Sequence, residues 1–404
     1  MYKPRCSFKN IIQSTKNIHL SFCRTFTNNP SKKLNFSKVL VLTKLSMYEH
    51  ERYKYKNLTD EQFTTEMTRV GVDFSKLLYF YDLHKNFEKK VLHTLKTTGV
   101  DFKVVNRIDY SNALIDWADL VMPLGGDGTF LLAASKIVDN KKPVIGFNSD
   151  PNKSEGHLCL PKSYSENVEE AIKRLQQGEF EWLLRSRIRI TLHGTKKSIR
   201  LTHLHPTLFE PNIDFQDERD LKLLSESEVL PILALNEVFI GESMSARVSY
   251  LELCLNDNKT VTNMKCSGLC IATGTGSTSW HLSINRIPQE CITNILGLVE
   301  SKGIAQNVIN KSNQIGDLYN KNLIFKPDDR RLSYTIRDLI CGGVWPQPKG
   351  IKSRDFCTKI RVRSKCVDAC LVVDGGMYVP FDNAYTAVLE IWPEDALRTV
   401  VFPN

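Results

Sequence analysis

The order of elements along these 404 residues predicts an α/β protein in two parts: a parallel-sheet domain, then a β-rich domain. Three observations carry that expectation. Up to Trp182, short apolar runs alternate with segments whose apolar residues recur at helical spacing. Beyond it, strand-like runs follow one another with little helix between them. A glycine turn, Gly125 to Gly128, lies where an apolar strand gives way to a helix.

The elements follow in order. Residues 1–35 are set apart as a leader. Nine Lys and Arg precede the first acid, Glu49, and without them the net charge of +9 vanishes. The basic excess therefore belongs to this end and does not argue for nucleic-acid binding. An acid-free leader rich in Lys, Arg and Ser is typical of import into the mitochondrial matrix. A basic tail on a cytosolic protein is the plain alternative. No apolar run approaches the roughly 20 residues that span a bilayer, so no membrane partner is expected.

The α/β domain is placed at 36–182. KVLVLTKL (38–45) reads as its first strand, followed by a polar stretch. FSKLLYFYDLHKNFEKKVLHTLKTTG reads as a helix stopped at Gly99. DFKVVNRI, the run ending at Leu124, and PVIGFN (143–148) supply further strands, and TFLLAASKIVDN and SENVEEAIKRLQQGEF supply helices. Such alternation implies a Rossmann-like parallel sheet covered on both faces, with ligands beyond the carboxyl ends of its strands.

The β-rich domain is placed at 183–404, with its last strand able to pack back onto the first domain. WLLRSRIRITLHG alternates as one half-buried strand, which puts Arg185, Arg187 and Arg189 on a shared face, read as solvated, with a phosphate clamp as the alternative. His203 and His205 read as solvated loop residues rather than metal ligands. The segment 287–350 contains inserted helices. The eleven cysteines include Cys266 and Cys270, and Cys366 and Cys370, each pair four apart. That is not zinc spacing, so free thiols and no protein-held metal are expected.

Four motifs could carry chemistry. In GGDGTF, Gly125, Gly126 and Gly128 allow close backbone approach, and the helix from Thr129 offers N–H groups to a phosphate. The plain alternative is a turn in which Asp127 caps the helix. In ATGTGSTSW, Gly274 and Gly276 stand among hydroxyls that suit phosphate and ribose oxygens, including Thr275 and Ser277; a plain Gly/Ser/Thr loop is the alternative. In LNEVFIGES, Asn236 and Glu237 interrupt an apolar run; Glu237 either needs a buried partner or faces solvent. In VVDGG, Asp374 and Gly375 follow a strand and read by default as a turn.

As an ordered set, GGDGTF, NEV, TGTGSTSW and DGG resemble the NAD kinase family. NSDPNKSEGHLCLP, LNEVFIGES, CTKIRVRSKCVDACLVVDGG and WPEDALRTV resemble its animal mitochondrial branch. The resemblance implies phosphoryl transfer from ATP, or in some members inorganic polyphosphate, to the adenosine-ribose 2′-hydroxyl of NAD. It implies a homodimer. It makes Asp127 the proton acceptor, places Gly126, Gly128 and the following helix against phosphates, and gives Asn236 and Glu237 to the adenosine part. Thr278, Ser279, Trp280 and Ser283 then match the stretch lining the NAD site, and Asp374 and Gly375 a late site wall. Because the turn carries no lysine, Mg²⁺ bound with ATP is expected to offset phosphate charge. Bacterial members differ at Lys265, at Ser267 and in the shorter turn that replaces NSDPNKSEGHL. A lipid kinase of the diacylglycerol/sphingosine type, or a non-catalytic dinucleotide-binding regulator, are the competing readings.

Overall fold

The computed structural model describes residues 34, 36–194, 201–204, 227–258, 261–340, 351–383 and 385–403. Nearly all of the leader, His205, most of the polar stretch from His203 to Glu228, and residues 341–350 lie outside these.

The first unit is built on a four-stranded parallel sheet, ordered Asp101–Val105, Lys38–Thr43, Leu120–Gly125, Phe147–Asn148. Side chains alternate across a strand, so each one feeds two cores. Val39, Val41, Leu120 and Met122 pack with Val91, Leu95, Ile172 and Leu175 on one face. Leu40, Leu42 and Val121 pack with Ile115, Phe130 and Ala133 on the other. Helices cover both faces, as a parallel sheet requires. The long helix runs Phe74–Thr97 and ends ahead of Gly99, whose φ of +73° suits only glycine well.

The structure departs from the sequence reading in several places. The polar stretch after the first strand forms two helices, Met47–Lys54 and Asp60–Arg69. Reciprocal caps start both, Ser46 with Glu49 and Thr59 with Gln62, a signal carried by polar residues rather than by apolar periodicity. The strand expected over 143–148 reduces to Phe147–Asn148 plus isolated bridges from Val144 to Val121 and from Pro143 to Arg398. The helix after the glycine turn stops at Ser135.

WLLRSRIRITLHG is two strands. Glu181–Arg185 pairs with Leu397–Val401, whereas Ile188–His193 pairs with Thr386–Ile391. At the break, the Ser186 N–H donates to the Pro327 carbonyl at 2.8 Å. The shared solvated face is therefore wrong. Arg187 is fully buried and donates to the carbonyls of Ile137, Asp139 and Asp395, tying the two halves of the chain together. Arg189 lies partly exposed in a bidentate ion pair with Asp395 at 2.6 Å. Arg185 turns inward. His203, read as a loop residue, sits half-buried in a two-residue strand beside Met377.

Two antiparallel sheets face each other across the second core. The first, of six strands among the described residues, includes Ser249–Leu255, Lys359–Ser364, Thr386–Ile391 and Ile188–His193. The second, of seven, includes Leu332–Arg337, Gly268–Ala272, Glu237–Glu242 and Ala369–Val373. Ile190, Leu251 and Leu253 meet Val238, Ile240, Ile271 and Leu371 between them. The last strand, Leu397–Val401, lies beside the parallel sheet, where the Val144 N–H donates to the Arg398 carbonyl at 2.9 Å. Helices Gln289–Ser301 and Ser312–Lys321 form the insertion. Cys266 and Cys366 are buried thiols, and the described cysteines are unpaired. No helix among the described residues is long and apolar enough to cross a membrane.

Candidate active site

The first strand and the Leu120–Gly125 strand run parallel, with Thr43 opposite Leu124, so Lys44 and the glycine turn emerge side by side. The Lys44 N–H donates to the Leu124 carbonyl at 3.0 Å. A Cβ on Gly125 would come within 2.3 Å of Thr129 Oγ1 and 3.1 Å of Lys44 Cβ. Gly125 therefore provides room for its neighbours rather than a phosphate contact. Gly126 and Gly128 are open: a Cβ on Gly126 meets nothing nearer than Ser154 Oγ at 3.7 Å, and one on Gly128 meets nothing. The helix Asp127–Ser135 begins here, with its first N–H groups unspent on an i−4 carbonyl.

A cleft of about 760 Å³ opens at this helix start. That size suits a nucleotide. Lys44, Gly128 and Thr129 line one side, and His203, Ile232, Leu233 and Val373 to Met377 line the other. Gly128, Thr129, Asp374 and Gly375 are thus brought together from motifs 245 residues apart or more.

Asp127 faces elsewhere. Its two carboxylate oxygens accept the backbone N–H groups of Leu158 at 2.9 Å and His157 at 3.1 Å. Those donors come from the end of NSDPNKSEGHL, the long turn. Asn148 pins that turn by donating to the Ser154 carbonyl at 2.9 Å, and Gly156 crosses it closely at φ +65°. Arg185 lies on the same side. Burial lowers its guanidinium to about 10 and Asp127 acts against that, while Nη1 reaches Thr275 Oγ1 at 3.4 Å. Each carboxylate oxygen of Asp127 keeps a further lone pair for a donor.

Asp374 holds the Asn236–Glu237 pair from beneath. Its carboxylate accepts three successive N–H groups: Leu235 at 2.8 Å, Asn236 at 2.7 Å and Glu237 at 3.0 Å. Asp374 itself has φ +48°, a left-handed conformation that Asp tolerates better than most residues. Burial raises its pKa to about 6 against the pull of these three donors. The TGTG loop grips the same segment from above. Thr273 Oγ1 donates to the Leu235 carbonyl and accepts the Gly276 N–H. A Cβ on Gly276 would stand 2.1 Å from the Asn236 carbonyl, and one on Gly274 would stand 1.7 Å from that of Lys326. These two glycines are required by backbone packing. Ser277 is also spent, donating to the Gly274 carbonyl at 2.6 Å, and it is fully buried. The geometry therefore gives Gly274, Gly276 and Ser277 to the frame of the site rather than to a phosphate.

The side chains of Asn236 and Glu237 each keep an unsatisfied oxygen. Both residues are buried, and Asn236 Oδ1 and Glu237 Oε2 have no hydrogen-bond partner. The solvent-facing alternative for Glu237 is thus excluded. Its burial, together with nearby Asp374, pushes its pKa up to about 8. A buried polar atom without a partner costs about 1–3 kcal/mol, and a ligand carrying donors would recover that. Nearby, Trp280 packs on Phe239 with centroids 4.9 Å apart, and the Arg337 guanidinium lies 5.5 Å from its ring. Thr278 and Ser279 are half-buried beside it, and Ser283 is exposed one helical turn on.

Sequence reasoning missed Lys44 and Arg107 in the cleft and Arg185 beside Asp127. The available signal was positional. Lys44 and Arg107 each lie just past the carboxyl end of a strand in the parallel sheet, where such sheets bind ligands.

The profile of the ATP-NAD kinase N-terminal domain matches residues 13–180. The chain is 38% identical to the rat protein named NAD kinase 2, mitochondrial, over 90% of this chain and 87% of that one. The human protein of the same name gives 38% over 90% and 84%. The chain belongs to the NAD kinase family. A crystal structure of yeast NADH kinase complexed with NADH shares the fold, with a TM-score of 0.50 at 14% identity over 91% of this chain and 84% of that one. These relatives favour neither the lipid-kinase nor the idle-regulator reading.

Glu237 supplies a pH test. Its carboxyl pKa is raised on folding, so the folded form holds its proton where the unfolded chain has released it. Stability is therefore lost as pH rises from the unfolded value of about 4.5 toward about 8. Glu237→Gln removes that loss. Its melting temperature in the ligand-free enzyme should exceed the parent's at pH 8 by about 2 °C or more and match it near pH 4. Equal melting at both pH values would contradict a buried, protonated Glu237.

Proposed function

We propose that this NAD kinase seats its two substrates on opposite sides of one helix start. The enzyme transfers a phosphoryl group from ATP to NAD. In this reading the donor's phosphates lie in the 760 Å³ cleft against Gly126, Gly128 and the first turn of the Asp127–Ser135 helix. The adenosine part of NAD lies on Asn236 and Glu237, with Thr278, Ser279, Trp280 and Ser283 continuing that wall. The observation that carries this assignment is the pair of buried, unpartnered oxygens, Asn236 Oδ1 and Glu237 Oε2. An adenosine ring and ribose supply the donors they lack, and a protonated Glu237 can also donate.

Asp127 then receives the proton of the adenosine-ribose 2′-hydroxyl as that oxygen attacks the γ-phosphorus. The bond to the β–γ bridging oxygen breaks and ADP leaves. Backbone N–H groups of His157 and Leu158 orient the carboxylate for that step. Phosphoryl transfer asks chiefly for such positioning and for charge stabilisation. The described residues contain no group of three or more His, Cys, Asp or Glu placed to hold a metal. Because the glycine turn carries no lysine, we assign Mg²⁺ to the ATP-Mg substrate, where it would offset phosphate charge, and no step is routed through it. Asp374 supports the site through the backbone rather than as a ligand contact.

Asp127→Asn should lower kcat by about 100-fold or more while leaving the melting curve cooperative. Turnover near the parent's, read as NADP formed from ATP-Mg and NAD, would defeat the assignment of Asp127 as base.

The relatives are mitochondrial by name. We assign residues 1–35 as a transit peptide to the matrix; fusing them to a fluorescent protein should deliver it there, and a cytosolic signal would refute this. The family resemblance also points to a homodimer. Ile295, Leu298 and Leu318 on the inserted helices are exposed apolar residues in keeping with one. Light scattering should give twice the chain mass, and a monomer at micromolar concentration would overturn it.

A further inference from the structure

The donor cleft contains a cation that the glycine motif does not supply. Lys44 follows the first strand and lines the cleft together with Gly128 and Thr129. Its backbone is held firmly. Thr43, the residue before it, donates its hydroxyl to Glu88 and lies 2.8 Å from Nε2 of the fully buried His84. Burial, with Lys44 and Lys85 nearby, depresses the His84 imidazole to about 3, so it adds no charge of its own at neutral pH.

The Lys44 ammonium itself has no ion pair among the described residues. Asp150 and Glu49 are close enough to raise its pKa, yet burial outweighs them and the pKa is lowered. Glu49 is already engaged, with Lys85 at 3.0 Å and with the Ser46 N–H and hydroxyl at 2.9 and 2.8 Å. A half-buried cation whose acidic neighbours are engaged or beyond pairing distance is unfavourable unless a ligand brings the anion.

We propose that Lys44 binds the β- and γ-phosphate oxygens of ATP, doing from the end of an adjacent strand what the P-loop lysine does from within its own loop. This rests on the reading that the cleft takes the donor nucleotide. GGDGT contributes no basic side chain, and its helix start offers only about half a positive charge. A triphosphate needs more, and the need grows as the bond to the β–γ bridging oxygen breaks and charge collects on the departing ADP. Gly125 has to be glycine partly because Lys44 Cβ passes this close to it. The turn that presents N–H groups to the phosphates and the lysine that neutralises them are thereby set by one backbone contact.

The test is steady-state kinetics of Lys44→Met and Lys44→Gln in the full enzyme, varying ATP-Mg and NAD separately. Both variants should raise the KM for ATP by about tenfold or more and lower kcat, with the KM for NAD within about twofold of the parent's. Inhibition by ADP should weaken in parallel, inhibition by adenosine should not, and Lys44→Arg should recover part of the loss. An unchanged KM for ATP and kcat in either folded variant overturns the proposal. So does a rise confined to the KM for NAD, or equal weakening of ADP and adenosine. Parent enzyme that makes no phosphorylated dinucleotide from ATP-Mg and NAD would instead overturn the reading of the cleft's function. Because Lys44 is half exposed, both variants should melt as the parent does; if Lys44→Met does not fold, Lys44→Gln, which keeps a polar end, decides the matter.

Discussion

Three consecutive backbone N–H groups, those of Leu235, Asn236 and Glu237, converge on the carboxylate of Asp374. Much of the site depends on that contact. It sets the start of the Glu237–Glu242 strand, so it decides where the Asn236 and Glu237 side chains point. It also places Asp374 and the residues after it along the 760 Å³ cleft. The TGTG loop closes over the same segment, with two glycines admitted because nothing larger fits against the Asn236 and Lys326 carbonyls. Although the charge of Arg187 acts to lower the pKa of Asp374, no side-chain cation among the described residues pairs directly with that carboxylate. Its charge is spread over fixed N–H dipoles, which is how a buried carboxylate can remain useful as a structural post.

A second constraint joins the two halves of the chain. Arg187 is fully buried and spends its guanidinium on three carbonyls, two from the loop after the Asp127–Ser135 helix and one from Asp395. Its neighbours along the chain, Arg185 and Arg189, diverge to a site-facing and a surface-facing position. The cleft needs both halves, since Gly128 and Thr129 belong to one and Asp374 and Gly375 to the other. A buried guanidinium satisfied by carbonyls from both is a rigid way to hold that spacing, because each lost bond would leave a buried polar group unpaired.

Asp127 gains its meaning from this frame. A carboxylate inside a phosphate-binding turn looks electrostatically misplaced. The structure turns it away from the cleft, toward the His157 and Leu158 N–H groups and Arg185. In the proposed arrangement the glycines and the lysine at the neighbouring strand end face the donor, and the carboxylate faces the acceptor.

Much of this was legible in the chain. Alternating periods of helix and strand determine a parallel-sheet unit followed by antiparallel strands, because each element must bury one face. The ordered motifs determine the family, and the position of GGDGT at a strand's end sets it beside the cleft. What remained illegible is contact between segments distant in sequence. Arg185, Arg187 and Arg189 alternate like a solvated face, yet a break at Ser186 sends them to three different environments. Asp374 reads as a turn until three N–H groups from residues about 140 positions earlier meet it. Gly274 and Gly276 read as phosphate-binding until the carbonyls that exclude a Cβ are seen. Lys44 is an ordinary strand-end lysine until parallel pairing sets it beside the glycine turn. Local sequence determines conformation and amphipathic face, since those depend on neighbours along the chain. Only tertiary structure decides which buried group satisfies which, and here those partners come from opposite ends of the molecule.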